Sequence, residues 1–562
     1  MAGKGKALIS LLAIGAIVFV LVYLGISYTS NLGKTEDQVT AEGADKRLEK
    51  VYNKIKPATA APIKGQIDLD PVSVADALPD IGKFEVAVEP STTSFVEIFS
   101  STEKSGTGVD GWLREVGEAF NRSGAVVNGQ PVSVKIRNIA SGTAADYIRS
   151  GKYVPDAFTP SNELWGEMVK ASGVKLELIE KRLAGNVTGI VVKQAKYDEL
   201  VEKYGSLGVR TVTDAIAANE LSMGYTDPFA SSTGLNFLVT ALSSFDSADL
   251  LGQTAVQGFE QFQANVPFIA STTLQMREAA KSGALDAFVL EYQTYANAAD
   301  LQGGTVFTPF GVRHDSPLYA LGELPQAKKD ILKAFAAFAL KADNQKLAEE
   351  KGFGGMKDYV SELEPVPGTT LIAAQKLWKE KKDAHKPIAA VFVADVSGSM
   401  NGEPLNRLKE SLLQGQKYLG RDNSIGFVSY ASKVEINLPI AKYDTNQQSM
   451  FVGAVSSLQA GGGTATFDGI AVAMKMLQEE LAVNPDTRPL IFVLSDGETN
   501  EGHSLKDIRG LIETYQIPIY TIGYNADIQA LQSISGINEA ASINADTEDV
   551  VYKIGNLLNV QM

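Results

Sequence analysis

The sequence contains no cysteine. A disulfide scaffold, a thiol nucleophile and a Cys-ligated zinc are therefore excluded. Histidine is nearly absent. His314, His385 and His503 are scattered, with no spacing that suggests a metal site, and a histidine-dependent hydrolase would have to use one of these three. Basic charge is in deficit, with 51 Lys and Arg against 66 Asp and Glu, for a net charge of −15. A nucleic-acid binder needs a basic footprint to displace counterions, so no nucleic-acid partner is expected. No segment supplies a nucleophile beside an activating base, so the chain is not expected to be an enzyme.

The 562 residues are too many for one core and imply two or three domains. At 44% apolar and 21% charged, the composition is that of an ordinary globular protein. Residues 7–28 read ALISLLAIGAIVFVLVYLGISY, an uncharged run preceded by Lys4 and Lys6. That length suits a helix across a hydrocarbon core of about 30 Å, and the run exceeds the apolar part of a cleaved signal. Residues 1–28 are expected to be a transmembrane signal anchor with its N-terminus in the cytoplasm and the bulk of the chain outside. Residues 29–83 are polar and rich in Pro, Ala and Asp. They read as a stalk, or as a segment packed on a neighbouring domain, with a short amphipathic helix in TEDQVTAEGADKRLEKVYNKIKP.

From about residue 84, strand-length apolar runs alternate with helix-length amphipathic stretches. The strands include FVEIFSS (95–101), PVSVKIRN (131–138), NVTGIVVK (186–193), LDAFVL (285–290) and TVFTPF (305–310). Such alternation predicts parallel sheets covered by helices. About 260 residues of it suggest two lobes with a cleft over 84–345, followed by a connecting helical segment at 346–385. The last domain, 386–562, alternates again, with strands in IAAVFVA, SIGFVSY, KVEINLP, PLIFVLS and PIYTIGY and helices near 404–419, 467–481, 504–515 and 547–558.

The strongest local signal is IAAVFVADVSGSM. A continuous apolar run indicates a strand buried on both faces, and the C-terminal end of such a strand is where open α/β sheets place ligands. Asp395, Ser397 and Ser399 follow at two-residue spacing, so their oxygens can converge. LQAGGGTATFDGI places Thr464 after three glycines, with Thr466 beyond it. PLIFVLSDGETN repeats the strand-then-aspartate layout with Asp496. Carboxylates and hydroxyls form a hard oxygen set suited to Mg²⁺ or Mn²⁺. Helix capping by Ser397 and Ser399 explains neither Thr464 nor Asp496. Asp468, Glu498 and Glu501 read as solvated rim residues.

In this order DVSGS, GGGT and SDGE resemble the metal-ion-dependent adhesion site of von Willebrand factor A domains, over about residues 387–562. The resemblance implies a doubly wound, Rossmann-like domain. It also implies metal residues Asp395, Ser397, Ser399, Thr464 and Asp496, and a protein partner that offers a carboxylate to the metal. In the middle region, FVEIFSSTEKSG, RNIASGTAADYI and MGYTDPFASSTGLNFL place small hydroxyl or glycine residues between a strand and a helix, where free N–H groups attract anions. The candidates are Ser100, Ser101, Ser141, Gly142, Ser231, Ser232 and Thr233, with Tyr292 after the strand LDAFVL. Helix capping alone accounts for each of these singly, and Asp227 would repel an anion if it faced the cleft. This region resembles bacterial extracellular solute-binding proteins of the two-lobed periplasmic type, nearest the molybdate and sulfate branch. The expected fold class is thus α/β: a transmembrane helix, a two-lobed periplasmic-binding-protein-like domain and a von Willebrand factor A domain. Two functions follow as expectations. One is a membrane-anchored extracytoplasmic protein that grips a protein partner through a divalent metal. The other is a receptor that delivers an oxyanion or small molecule to a transporter.

Overall fold

The computed structural model describes residues 41–67, 75, 78–266, 268–270, 276, 285–361, 363–382, 387–496, 499–524, 542–545, 554 and 557–558. The expected membrane helix at residues 7–28 lies outside these. Among the described residues no helix is long and apolar enough to cross a membrane. The longest described helix, Thr466–Val483, carries Asp468, Lys475, Glu479 and Glu480, as a helix with one face on a core and one in solvent does. The fold class is corrected accordingly. It is α/β, with a two-lobed unit and a second α/β unit, and among the described residues it includes no membrane-spanning helix.

The second unit is built on a seven-stranded sheet in the order Ala58–Thr59, Val434–Lys442, Ser424–Tyr430, Ile388–Asp395, Arg488–Ser495, Ile519–Tyr524, Ser542–Ala545. Pairing is parallel except at the hairpin of Ser424–Tyr430 with Val434–Lys442. The central strand Ile388–Asp395 is buried along its whole length. Its side chains alternate between two cores. Ile388, Ala390, Phe392 and Ala394 pack with Leu408, Leu412 and Phe451 on one face. Ala389, Val391 and Val393 pack with Ile470, Leu477 and Leu511 on the other. Period-two alternation on a sheet covered on both sides is why the run reads as continuously apolar.

Residues 41–65, read above as a stalk, belong to this unit. In helix Ala41–Ile55, Ala44, Leu48 and Val51 recur at helical spacing and join the core beneath helices Thr466–Val483 and Leu505–Tyr515. Asp45 Oδ1 accepts from Gln478 Nε2 and Tyr515 Oη, Arg47 donates to the Asp507 carbonyl at 2.7 Å, and Glu49 pairs with Lys475 at 3.0 Å. Ala58–Thr59 then adds a parallel edge strand, and Gly65 N donates to the Ser449 carbonyl. A Cβ on Gly453 would lie 2.1 Å from the Ile63 carbonyl, so the segment rests backbone to backbone on helix Thr445–Ser457. The two-lobed unit is therefore inserted between two parts of the other.

In the two-lobed unit, one lobe has a six-stranded sheet in the order Val86–Val88, Ser133–Asn138, Phe95–Ser100, Ala157–Thr159, Leu318–Leu321, Leu176–Glu180. The other has five strands in the order Phe268–Ala270, Met223–Thr226, Ala287–Glu291, Thr188–Lys193, Thr305–Phe310. The chain crosses between lobes at residues 181–187 and 311–317. The sheets are mixed, where purely parallel ones were expected. The strand that follows each crossing, Thr188–Lys193 or Leu318–Leu321, is antiparallel to both its neighbours. Such a strand enters its sheet from the other lobe, opposite to the local βα direction. Helix Gly368–Lys381, in the expected connecting segment, packs on this unit. A Cβ on Gly368 would lie 2.0 Å from the Glu167 carbonyl of the first lobe. Trp378 Nε1 donates to Tyr225 Oη (2.7 Å) and Gln375 Nε2 to the Pro228 carbonyl (2.8 Å), both in the second lobe.

Candidate functional site: the strand-end oxygen cluster and the interlobe cleft

Asp395 ends the central strand and is fully buried. Its Oδ1 accepts from the Ser397 backbone N–H (2.8 Å), which tightens the loop into an Asx turn, and its Oδ2 accepts from Ser495 Oγ (2.6 Å). Ser397 Oγ lies 3.0 Å from Ser399 Oγ, and Ser399 Oγ donates to Asp496 Oδ1 at 2.9 Å. Two loops distant in sequence thus contribute to one chain of oxygen atoms. The third loop is pinned onto the first, because Gly398 N donates to the Gly462 carbonyl (2.9 Å) and Gly461 N to the Val396 carbonyl (2.8 Å). Gly462 needs its missing Cβ, since it turns with φ +84°. Thr464, nearly buried, is held on that loop. Its N–H donates to Asn500 Oδ1 (2.8 Å), and its carbonyl accepts from Thr499 Oγ1 (2.7 Å) and Asn500 N (2.9 Å). Burial pushes the Asp395 carboxyl above its ordinary range; hydrogen bonds from Ser495 and Ser397 oppose this, and the Asp496 charge adds to it. The donor set, the Asp395 and Asp496 carboxylates with the Ser397 and Ser399 hydroxyls, has the hard oxygen chemistry that fits a divalent cation such as Mg²⁺ or Mn²⁺ and not a soft metal.

The interlobe cleft is closed by direct contact. Gly142 N, at the start of helix Ser141–Ser150, faces the Ala230 carbonyl of the opposite lobe at 3.4 Å, and a Cβ on Gly142 would lie 1.9 Å from the Phe229 carbonyl. Ser141 Oγ accepts from Ser161 N at 3.2 Å. Ser231 caps helix Ser232–Phe245 by accepting from Gly234 N, as the capping reading expects. Ser232 Oγ accepts from Trp165 Nε1 across the lobes at 2.8 Å. Thr233 Oγ1 reaches Glu291 Oε1 at 3.5 Å. Ser101 bonds Lys104 and Glu103 within its own lobe, while the Ser100 hydroxyl is buried without a hydrogen-bond partner among the described residues. Tyr292 stands apart from this set, stacked edge-on against Phe307 at 5.3 Å. Asp227 is buried with its Oδ1 on Phe229 N (2.8 Å), and burial pushes its carboxyl up to about 6.

Two family models match the chain. The von Willebrand factor type A domain covers residues 390–556, and the bacterial extracellular solute-binding protein covers residues 105–354. The chain carries both domains. Curated relatives match through part of the chain. An uncharacterized protein of Synechocystis is 27% identical over 144 residues, which is 25% of this chain and 33% of that protein. Inter-alpha-trypsin inhibitor heavy chain H3 of Bos taurus is 27% identical over 154 residues, 25% of this chain and 17% of that protein. The chain thus spans a third or less of the length of these relatives. Among solved structures, the sulfate-binding protein SubI from Mycobacterium tuberculosis matches with a TM-score of 0.35 and 16% identity, over 51% of this chain and 96% of that one.

Around the von Willebrand factor A site, the expected rim residues divide. Asp468 Oδ1 accepts from His503 N (2.9 Å) and lies 2.6 Å from His503 Nδ1, Glu501 lies over Gly463, and Glu498 lies outside the described residues. Sequence reasoning missed Ser495, Thr499 and Asn500, which brace Asp395 and Thr464. All three flank Asp496 in SDGETN, so their proximity was readable even though their hydrogen bonds were not. In the solute-binding domain it missed Lys104, Asn162, Glu291 and His314. His314 Nε2 lies 3.0 Å from Asn162 Nδ2 and 3.3 Å from Asn236 Nδ2, and its Nδ1 is 2.8 Å from Glu291 Oε1.

Proposed function

We propose that the protein is a non-enzymatic extracytoplasmic binding protein that engages a protein partner through a divalent cation held by its von Willebrand factor A domain. The ligands in this reading are Asp395, Ser397, Ser399, Thr464 and Asp496, and the cation is Mg²⁺ or Mn²⁺. The observation that carries it is the continuous oxygen chain from Ser397 through Ser399 to Asp496 at the end of the central strand. A cation bound there would offer an open coordination position to a carboxylate of the partner. The match to an extracellular solute-binding family supports the extracytoplasmic placement. The second reading, a receptor for an oxyanion or small solute, is supported by the two-lobed form. It has to contend with Glu103, Glu291 and Asp227, none of which suits an anion.

Thermal melts with EDTA, Mg²⁺, Mn²⁺ and Ca²⁺ test the metal reading, because a ligand bound only by the folded state raises the midpoint. Titration calorimetry on wild type and Asp395→Ala completes it. Binding to wild type and its loss in the variant are expected. No shift and no heat in wild type would remove both the metal and the partner mode built on it.

A further inference from the structure

Two buried hydroxyls lie behind the strand-end oxygen cluster. Tyr430 is 0% and Thr466 2% exposed, and neither Tyr430 Oη nor Thr466 Oγ1 has a hydrogen-bond partner among the described residues. Folded proteins satisfy nearly all their buried polar atoms, so an orphan calls for a physical reason. Phe and Val would fill the same two spaces with no polar atom to bury. The two orphans occur together, and each stands beside a candidate cation ligand.

Tyr430 ends strand Ser424–Tyr430 and is the register partner of Asp395 on the parallel neighbour, with the Tyr430 carbonyl accepting from Val396 N at 2.8 Å. Register partners in parallel strands present their side chains to the same face of the sheet. Helix Thr466–Val483 covers that face, where Tyr430 packs in one core with Val393 and Ile470. A Cβ on Gly469 would lie 2.9 Å from Tyr430 Cδ1, so the ring rests on the start of this helix. Thr466 lies one turn before Gly469, on the same side of the helix. The backbones are tied at this point too. Ala465, just before Thr466, donates its N–H to the carbonyl of Ala431, just after Tyr430, at 3.0 Å. Thr466 N–H donates to Thr499 Oγ1 (3.2 Å), which itself donates to the Thr464 carbonyl (2.7 Å). Ser495, next to Asp496, donates to Asp395 Oδ2 from the same core side. The polar side chains that act on the Tyr430 phenol are those of Asp395, Ser495 and Thr466, none of them at hydrogen-bonding distance.

A carboxylate offers about four lone-pair sites, so Asp395 can accept more than its bonds from Ser397 N and Ser495 Oγ. We propose that Tyr430 and Thr466 are positioning residues for the cation: with the cation bound, Tyr430 Oη donates to the Asp395 carboxylate and Thr466 Oγ1 donates to Tyr430 Oη. The pair then favours the bound form, because its hydroxyls gain their partners only there. The inference rests on the metal reading above and adds two residues that bind no metal themselves.

The test titrates the full chain with Mg²⁺ in a calorimeter, as wild type, Tyr430→Phe, Thr466→Val and Thr466→Ser. Tyr430→Phe and Thr466→Val should each weaken binding about tenfold, the effect of one buried hydrogen bond. Thr466→Ser keeps the hydroxyl and should bind as wild type does. In EDTA the melting midpoints of Tyr430→Phe and Thr466→Val should equal or exceed that of wild type, since each deleted hydroxyl has no partner to lose. Mg²⁺ should also produce a tyrosine ultraviolet difference band in wild type that Tyr430→Phe lacks, which a ring serving only to pack would not give. Wild-type affinity in Tyr430→Phe would overturn the proposal and leave the metal reading standing. Midpoints lowered in EDTA would assign both hydroxyls to the fold and overturn it as well. No Mg²⁺ binding by wild type would overturn the proposal together with the metal reading.

Discussion

Leu48 lies some 340 residues before the central strand Ile388–Asp395, yet it is fully buried in the core on one face of that strand's sheet. Truncating it to Ala removes three buried carbons between helices Thr466–Val483 and Leu505–Tyr515. Large-to-small changes of this kind cost about 2–5 kcal/mol, and the spread reflects how far the site collapses. Helix Ala41–Ile55 is also anchored by the Asp45, Arg47 and Glu49 contacts, which limits its collapse onto a smaller side chain. A cost of about 3 kcal/mol is therefore expected, or roughly 6–12 °C for a unit of some 200 residues. Calorimetry of the full chain would read it in the transition that responds to Asp395→Ala. Lys46→Ala and Lys50→Ala, on the exposed face of the same helix, should each stay within about 0.5 kcal/mol of wild type. A Leu48→Ala loss no larger than these controls would refute the assignment of residues 41–65 to the von Willebrand factor A domain.

Further outcomes follow from the same geometry. Ser399→Ala should weaken Mg²⁺ or Mn²⁺ binding in calorimetry while Asp395→Ala abolishes it, because a carboxylate contributes charge and a hydroxyl does not. Asp227 has a carboxyl raised to about 6 from an ordinary value near 4, so ionising it opposes folding. That penalty is complete above about pH 6 and fades as the pH falls toward 4. Asp227→Asn should stabilise the chain by up to about 2 kcal/mol at pH 7.5, keep the bond to Phe229 N, and show little difference at pH 4.5 in urea titrations. Gly368→Val should push helix Gly368–Lys381 off the Glu167 carbonyl and lower the melting midpoint of the two-lobed unit in calorimetry; an unchanged midpoint would show that this close contact does not hold the helix in place.

The central strand was legible because both faces of its sheet are covered, which turns a period-two pattern into an unbroken apolar run. The loop DVSGS was legible because its spacing puts hydroxyls next to a strand end. What these residues pack against was less accessible. Ala44, Leu48 and Val51 reveal an amphipathic helix, but amphipathicity does not name the partner, and theirs lies in residues 466–515. The antiparallel strands Thr188–Lys193 and Leu318–Leu321 look like their parallel neighbours, since strand direction is set by the crossings and not by side chains. Ser141, Ser232 and Thr233 do lie at the lobe interface, but their oxygens and adjacent N–H groups meet protein atoms there. Lys104 escaped notice because a lysine in STEKSG is ordinarily solvated, whereas here it is buried against Ser101 and Glu103.

An insertion constrains both of the units it connects. Residues 41–65 and the strand beginning at Ile388 must meet in one sheet, so the inserted domain has to return its two ends to positions that allow it. A domain whose lobes swung widely would move those ends, or would pay for the motion in slack linker. Ala75, between residues 41–65 and the first lobe, already accepts a bond from Lys152 of that lobe. Helix Gly368–Lys381 contacts both lobes and ends just before the central strand, so lobe opening would strain it directly.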